Sequence, residues 1–189
     1  MLIAILAGCA SPAAKGPFHL APEEINAPNY SSKANEITFS GMGVKLSARQ
    51  VAAQEANGVS PVLDGLMAKK FLIIKLKIEN HSPTERAIFD PVFVAITDNV
   101  LNYSKPLNYS DLYDIVKEAD ISGNSLAPLR GRFYDISLTL MPGESSSKYL
   151  IFRPISQEAD KVVIQLTNIY IGSKTFNVVF PFNLKEGGI

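Results

Sequence analysis

Chemistry needs a nucleophile, a base, gathered carboxylates or a set of metal donors, and this chain is sparing with all of them. It has one thiol, Cys9, and two histidines, His19 and His81. A single cysteine forms no internal disulfide, and neither histidine stands in a metal-motif spacing. Carboxylates gather at Asp111, Asp114, Glu118 and Asp120. Asp114 and Glu118 are four residues apart, so on a helix they share a face and could hold a cation or act as acid and base. The same spacing also describes an ordinary solvated helix face. Gly41-Met42-Gly43 lacks the further glycine and lysine of a phosphate cradle. Tyr103, Tyr109 and Tyr113 fall in one segment, with Phe133 and Tyr134 beyond. Exposed, such aromatics anchor a protein or sugar partner; buried, they pin a loop to a core. These residues are candidates for partner binding, none is a candidate for catalysis, and no cofactor or metal is implied.

Cys9 has the most specific surroundings. Residues 1–9 read Met-Leu-Ile-Ala-Ile-Leu-Ala-Gly-Cys. The ending Leu6-Ala7-Gly8-Cys9 resembles a bacterial lipobox, which implies fatty-acyl attachment (palmitate or a similar chain) to Cys9 and cleavage just before it. No Lys or Arg precedes the short apolar run, so residues 1–9 read as a clipped signal peptide whose start lies upstream. Ala10 and Ser11 follow without an acidic residue. By resemblance to enterobacterial lipoproteins, that implies sorting to the outer membrane, facing the periplasm. Residues 10–33 carry Pro12, Pro17, Pro22 and Pro28. Without sustained periodicity they are expected to form a semi-extended tether. The globular domain is expected over residues 34–189. With a bacterial lipobox in front, the glycosylation patterns at Asn29, Asn80, Asn102 and Asn108 read as chance matches.

The elements that would position these residues are mostly strands. Apolar residues make up 47% of the chain, and its 18 basic and 18 acidic residues cancel. That is enough apolar surface for one domain with a core, and no cationic excess for nucleic acid. No apolar run reaches membrane-spanning length. Phe71–Asn80 alternates, with Leu72, Ile74, Leu76 and Ile78 on one face and Lys75, Lys77 and Glu79 on the other, as a half-buried strand must. Glu36–Ser40 and Val44–Ser47 are short strand candidates around residues 41–43. Ser47–Gln50 resembles a capping box ahead of a helix over Val51–Ala56. Pro61–Lys70 reads as a connection with a helical turn. Arg86–Asp98 reads as a strand with Val92, Val94 and Ile96 on one face, placed at an edge or bulge by Pro91. Phe133–Leu140 reads as a strand with Tyr134, Ile136, Leu138 and Leu140 together. Lys148–Pro154, Lys161–Ile171 and Thr175–Phe182 follow. Pro142-Gly143 suits a type II turn and Gly172-Ser173 a type II′ turn. The tail from Lys185 reads as frayed. Residues 99–131 form a crossover too long for an ordinary β-connection. Ser110 is expected to cap a helix over 111–119, whose Leu112, Ile115 and Val116 face a sheet edge or the open end.

Seven or eight strands with short turns predict an all-β fold, an immunoglobulin-like antiparallel β-sandwich with one helical crossover. Its core should join Leu72, Ile74, Leu76 and Ile78 with Tyr134, Ile136, Leu138, Phe152, Val178 and Phe180. Residues 78–82 at a strand end, Phe133-Tyr134-Asp135, Met141-Pro-Gly-Glu144 and Tyr149-Leu-Ile-Phe152 resemble those of uncharacterised bacterial lipoproteins with one immunoglobulin-like domain of unknown function. The resemblance implies a fold and an envelope location, and no catalytic residues. The expected function is that of a non-enzymatic, lipid-anchored interaction or assembly module, with an envelope protein or glycan as partner. The alternative is a lipoprotein that binds a small ligand or glycan at the open end of the sandwich. A hydrolase using the acidic crossover is the weaker alternative. An apolar cleft would favour the small-ligand reading, and two carboxylates converging on a pocket floor the hydrolase.

Overall fold

The structure is a computed structural model and describes residues 18–56, 60–119, 121 and 126–186. Twelve strands among them form two antiparallel sheets packed face to face. β5 (Leu72–Asn80) lies inside the first sheet, between β4 (Val44–Gln50) and β10 (Ser145–Phe152). β3 (Glu36–Gly41) and β2 (Tyr30–Lys33) complete the order β10-β5-β4-β3-β2. The second sheet is built on a long hairpin, β11 (Lys161–Ile171) and β12 (Lys174–Glu186), with β1 (Phe18–Pro22) outside β12. Against the other side of β11 lie β6 (Ala87–Phe89) and β7 (Val94–Asp98), which pair in turn with β9 (Leu138–Leu140) and β8 (Tyr103–Ser104). Leu72, Ile74, Leu76 and Ile78 are buried between the sheets with Tyr134, Phe152, Val178 and Phe180, as the alternation predicts.

The sandwich has a further layer. α1 (Ala53–Ala56), α2 (Pro61–Ala68) and α3 (Tyr109–Glu118) cover part of the outer face of the five-stranded sheet. There Ile73, Tyr149 and Ile151 meet Leu63 and Leu66 of α2, Leu112 and Val116 of α3, and Phe133 in a second apolar cluster. The crossover therefore packs on a sheet face. It also shields the edge strand β10, whose Ile151 carbonyl accepts from Leu107 N at 2.7 Å. Further along, Tyr149 N donates to Arg132 O at 2.9 Å and Tyr134 N to Tyr149 O at 2.8 Å. An edge covered in this way offers no template for a stray strand.

Several local expectations differ from the structure. Phe18–Pro22 and Tyr30–Lys33, placed in the tether, are strands. β1 pairs Phe18 with Glu186 and buries Leu20, so β12 runs through Lys185 to Glu186 where a frayed tail was expected. Ser47 lies in β4, bonded to Thr38 at 3.0 Å, and caps nothing. The helix expected over Val51–Ala56 is present as the shorter α1, and the turn expected in the next connection is a full helix, Pro61–Ala68, where Ser60 Oγ accepts from Val62 N at 3.2 Å and Pro61 has no N–H to leave unpaired. α3 is capped by Asn108, not Ser110, in a reciprocal box with Asp111. Pro91 splits the expected strand 86–98 into β6, a 3-10 turn and β7, with a bulge opposite in β11, and Val92 is exposed. Of Phe133–Leu140 only the last three residues are strand. Phe133 and Tyr134 point into the two different cores, and Ile136 is 72% exposed. The turns fit: Gly143 has φ +82 with Glu144 N bonded to Met141 O, and positive φ falls on Gly172 but not on Ser173.

Candidate functional site

The two apolar clusters do not close on each other everywhere. At the end of the molecule where β1 and β5 begin, a cleft of about 440 Å³ opens along their seam. Phe18, Ile155 and Leu184 are half-buried side chains at the margin of the sandwich core. Met67 and Phe71 are their counterparts at the margin of the helical cluster.

Local structure explains why the cleft stays open. α2 ends with Lys70 in the left-handed region, φ +65. Lys70 N bonds to Met67 O at 2.8 Å and Phe71 N to Leu66 O at 3.0 Å, the paired bonds of a Schellman ending. This turns the chain sharply into β5 and leaves Phe71 on the wall. Opposite, β1 is tied across the sandwich end by Leu20 N, which donates to Gln50 Oε1 at 2.6 Å. Gln50 and Phe18 line the cleft. The loop Pro154–Gln157 forms the remaining side.

Most of this lining is apolar, and Asp64 of α2 is its one acid. Its Oδ1 is shut off from solvent and has no hydrogen-bond partner among the described residues. Lys70, the one cation of the lining, is exposed at the rim. Beside the cleft, Glu55 of α1 takes Arg49 at 2.7 and 2.9 Å and Lys75 at 2.9 Å. The Arg49 hydrogen bonds, then Lys75, hold the Glu55 carboxyl down at about 2 despite partial burial. Tyr134, held by Leu76 O and Ser146 Oγ in the core, is pushed up to about 12 by burial.

The residues singled out from sequence are scattered over other surfaces. Tyr103, Tyr109 and Tyr113 are 62%, 46% and 50% exposed. Tyr109 and Tyr113 stand one turn apart on α3, and Tyr109 stacks on Phe133 with centroids 6.5 Å apart. Tyr103 sits instead on β8, in the wall of a second cleft of about 370 Å³ that shares Pro154–Ser156 with the first. Asp111 is engaged in the α3 cap, Asp114 and Glu118 are exposed, and Asp120 lies outside the described residues. His19 is exposed on β1, and His81 faces Glu79 at 3.7 Å near the surface. Cys9 lies outside the described residues. Among the described residues no three of His, Cys, Asp and Glu converge as metal donors, and no helix is long and apolar enough to cross a membrane.

Sequence reading missed the lining of the cleft because five separate segments form it and none carries a motif. The one available signal was Ser60-Pro61, a helix start that places Asp64 in a first turn. No family model matches the chain, no curated protein matches it in sequence, and no solved structure matches it.

Proposed function

We propose that this chain is a non-enzymatic, immunoglobulin-like binding module of the bacterial cell envelope, held by lipid on Cys9 at the outer membrane and facing the periplasm. We further propose that it takes a small, largely apolar ligand in the cleft at the open end of its sandwich. The lipobox resemblance supports the anchor. The cleft carries the binding reading: its volume of about 440 Å³ lies in the roughly 300–1,000 Å³ range of small-molecule sites. Its half-buried Phe18, Met67, Phe71, Ile155 and Leu184 leave apolar surface for a ligand to cover. The reading as a protein- or glycan-interaction module has its own support in the exposed Tyr103, Tyr109 and Tyr113.

One experiment tests the cleft. The apolar dye N-phenylnaphthylamine is titrated against the wild type and against Ala68→Trp, which places a large ring on the exposed rim residue. Saturable fluorescence is expected from the wild type and a loss of it from the variant, at unchanged melting temperature. Equal binding by both places the dye elsewhere and removes the cleft from the reading. For the anchor, detergent-phase partitioning of the full-length protein is compared with that of Cys9→Ser. The wild type is expected in the detergent phase and the variant in the aqueous phase; identical partitioning refutes the anchor.

A further inference from the structure

The helical layer lies on the five-stranded sheet. The outward face of the seven-stranded sheet is a different surface. Register sets its rows: Ala95–Gln165–Val179 and Tyr103–Thr97–Val163–Pro181, with Ile88 beside Tyr170 beyond the bulge. Their neighbours along the strands, Ile96, Ile164 and Phe180 among them, fill the sandwich core, so these side chains point away from it. Gln165 Nε2 donates to Thr97 Oγ1 at 3.4 Å across the same face. The apolar members belong to neither core cluster, and Tyr103, Tyr170 and Val179 are exposed. No residue in these rows is charged. Lys161, the one charge of β11, pairs with Glu23 at their border. A strand face left to water usually keeps its charges there, as β5 does with Lys75, Lys77 and Glu79. A charge-free middle with aromatic residues beside it is instead the composition of an interface core.

We propose that this face packs against its counterpart on a second copy of the chain. Shape and charge both select that partner. A twisted sheet is matched by an identical sheet, the two packing at an angle of about 30°. Two-fold symmetry sets a patch against itself, so a charge near the axis would meet its own kind, and a neutral patch avoids that repulsion. An unrelated partner could be steered by opposite charges, and these rows offer none. Four strands about 4.8 Å apart, over Thr175–Asn183 at about 3.3 Å per residue, make a face of roughly 600 Å² per copy. A pair would then cover roughly 1,200 Å², the lower end of specific interfaces, which suits a weak, reversible dimer. None of these residues lines the apolar cleft, so the two readings stand or fall separately.

The test is sedimentation equilibrium of the full-length chain through the micromolar range, with Cys9→Ser in every sample so that no lipid drives association. A reversible dimer is expected. Val179→Lys and Gln165→Lys each put a charge in the middle of the face at a position that reaches solvent. Each should weaken the dimer at least about tenfold, at unchanged melting temperature. Val179→Glu should weaken it as much. An equal mixture of the Val179→Lys and Val179→Glu chains should associate more tightly than either alone, because each face then meets the opposite charge. A monomer at every concentration overturns the proposal, and so does a dimer that neither lysine variant weakens. If Val179→Lys melts below the wild type, Gln165→Lys decides. A mixture no tighter than its components shows that the face meets some other surface, and overturns the proposal as well.

Discussion

Glu55 fastens the short α1 to the sheet beneath it through Arg49 and Lys75. Its carboxyl titrates at about 2 in the folded protein against 4.5 ordinarily. The folded value is depressed, so the stabilisation is present above the unfolded value and disappears as pH falls through the window from 4.5 to about 2. The group is partly exposed, so solvent screening keeps the effect small. Urea melts of the wild type and Glu55→Gln are expected to differ at neutral pH, to converge below 4.5 and to coincide near 2. A difference that persists unchanged at low pH would mean that Glu55 acts through packing alone. Asn80 shows what sequence conceals at this scale. It reads as a strand-end residue, yet it is 0% exposed. Its amide donates to Glu85 O and Leu140 O, and its Oδ1 accepts from Ser82 N. The alternation of β5 announced which of its neighbours face the core. It carried nothing about a polar side chain that ties the β5–β6 connection to the end of β9.

At the scale of elements, the helical layer hangs on the approach of α2 to the end of the crossover. Gly65 faces Ile121 so closely that an added methyl group would overlap the Ile121 side chain. In an exposed helix Gly→Ala stabilises by about 1 kcal/mol. Here overpacking reverses the sign, and Gly65→Ala is expected to destabilise by about 1–3 kcal/mol in chemical denaturation. A stabilised variant would show that the layer has room to shift. Strands with strict alternation were legible, because burial of one face imposes a period of two. α2 was obscured because its left-handed terminal residue is Lys70 rather than the glycine or asparagine that usually marks a helix end. Phe133–Ile136 misled for a related reason. Phe133 and Tyr134 do point to opposite sides of β10, but each fills a different core. The alternation there reports two layers and not a strand.

Across the whole molecule, the first described segment belongs to the fold. β1 covers one side of β12, and β2 closes the far edge of the other sheet. Prolines suggested a spacer, but Pro22 stands at the end of an edge strand, where a missing N–H costs no ladder bond. The sandwich was legible from strand count and turns; the fastening of Phe18–Pro22 was not, because pairing with a strand at the other end of the chain leaves no local signature. A chain starting at Ala34, the expected domain boundary, is therefore expected to melt lower and aggregate faster than one starting at Phe18, as judged by thermal melts and light scattering. Equal behaviour would make β1 and β2 ornaments of the fold.

The pairing of β1 also shortens the leash. Between Cys9 and Phe18 only residues 10–17 remain outside the described strands, and fully stretched they reach roughly 30 Å. Under the proposed anchoring by lipid on Cys9, the cleft that Phe18 helps to wall would be confined to a shell about as deep as the hydrocarbon core of a bilayer. A molecule leaving the membrane surface would have only that distance to travel, and the domain could deliver nothing to a partner farther off.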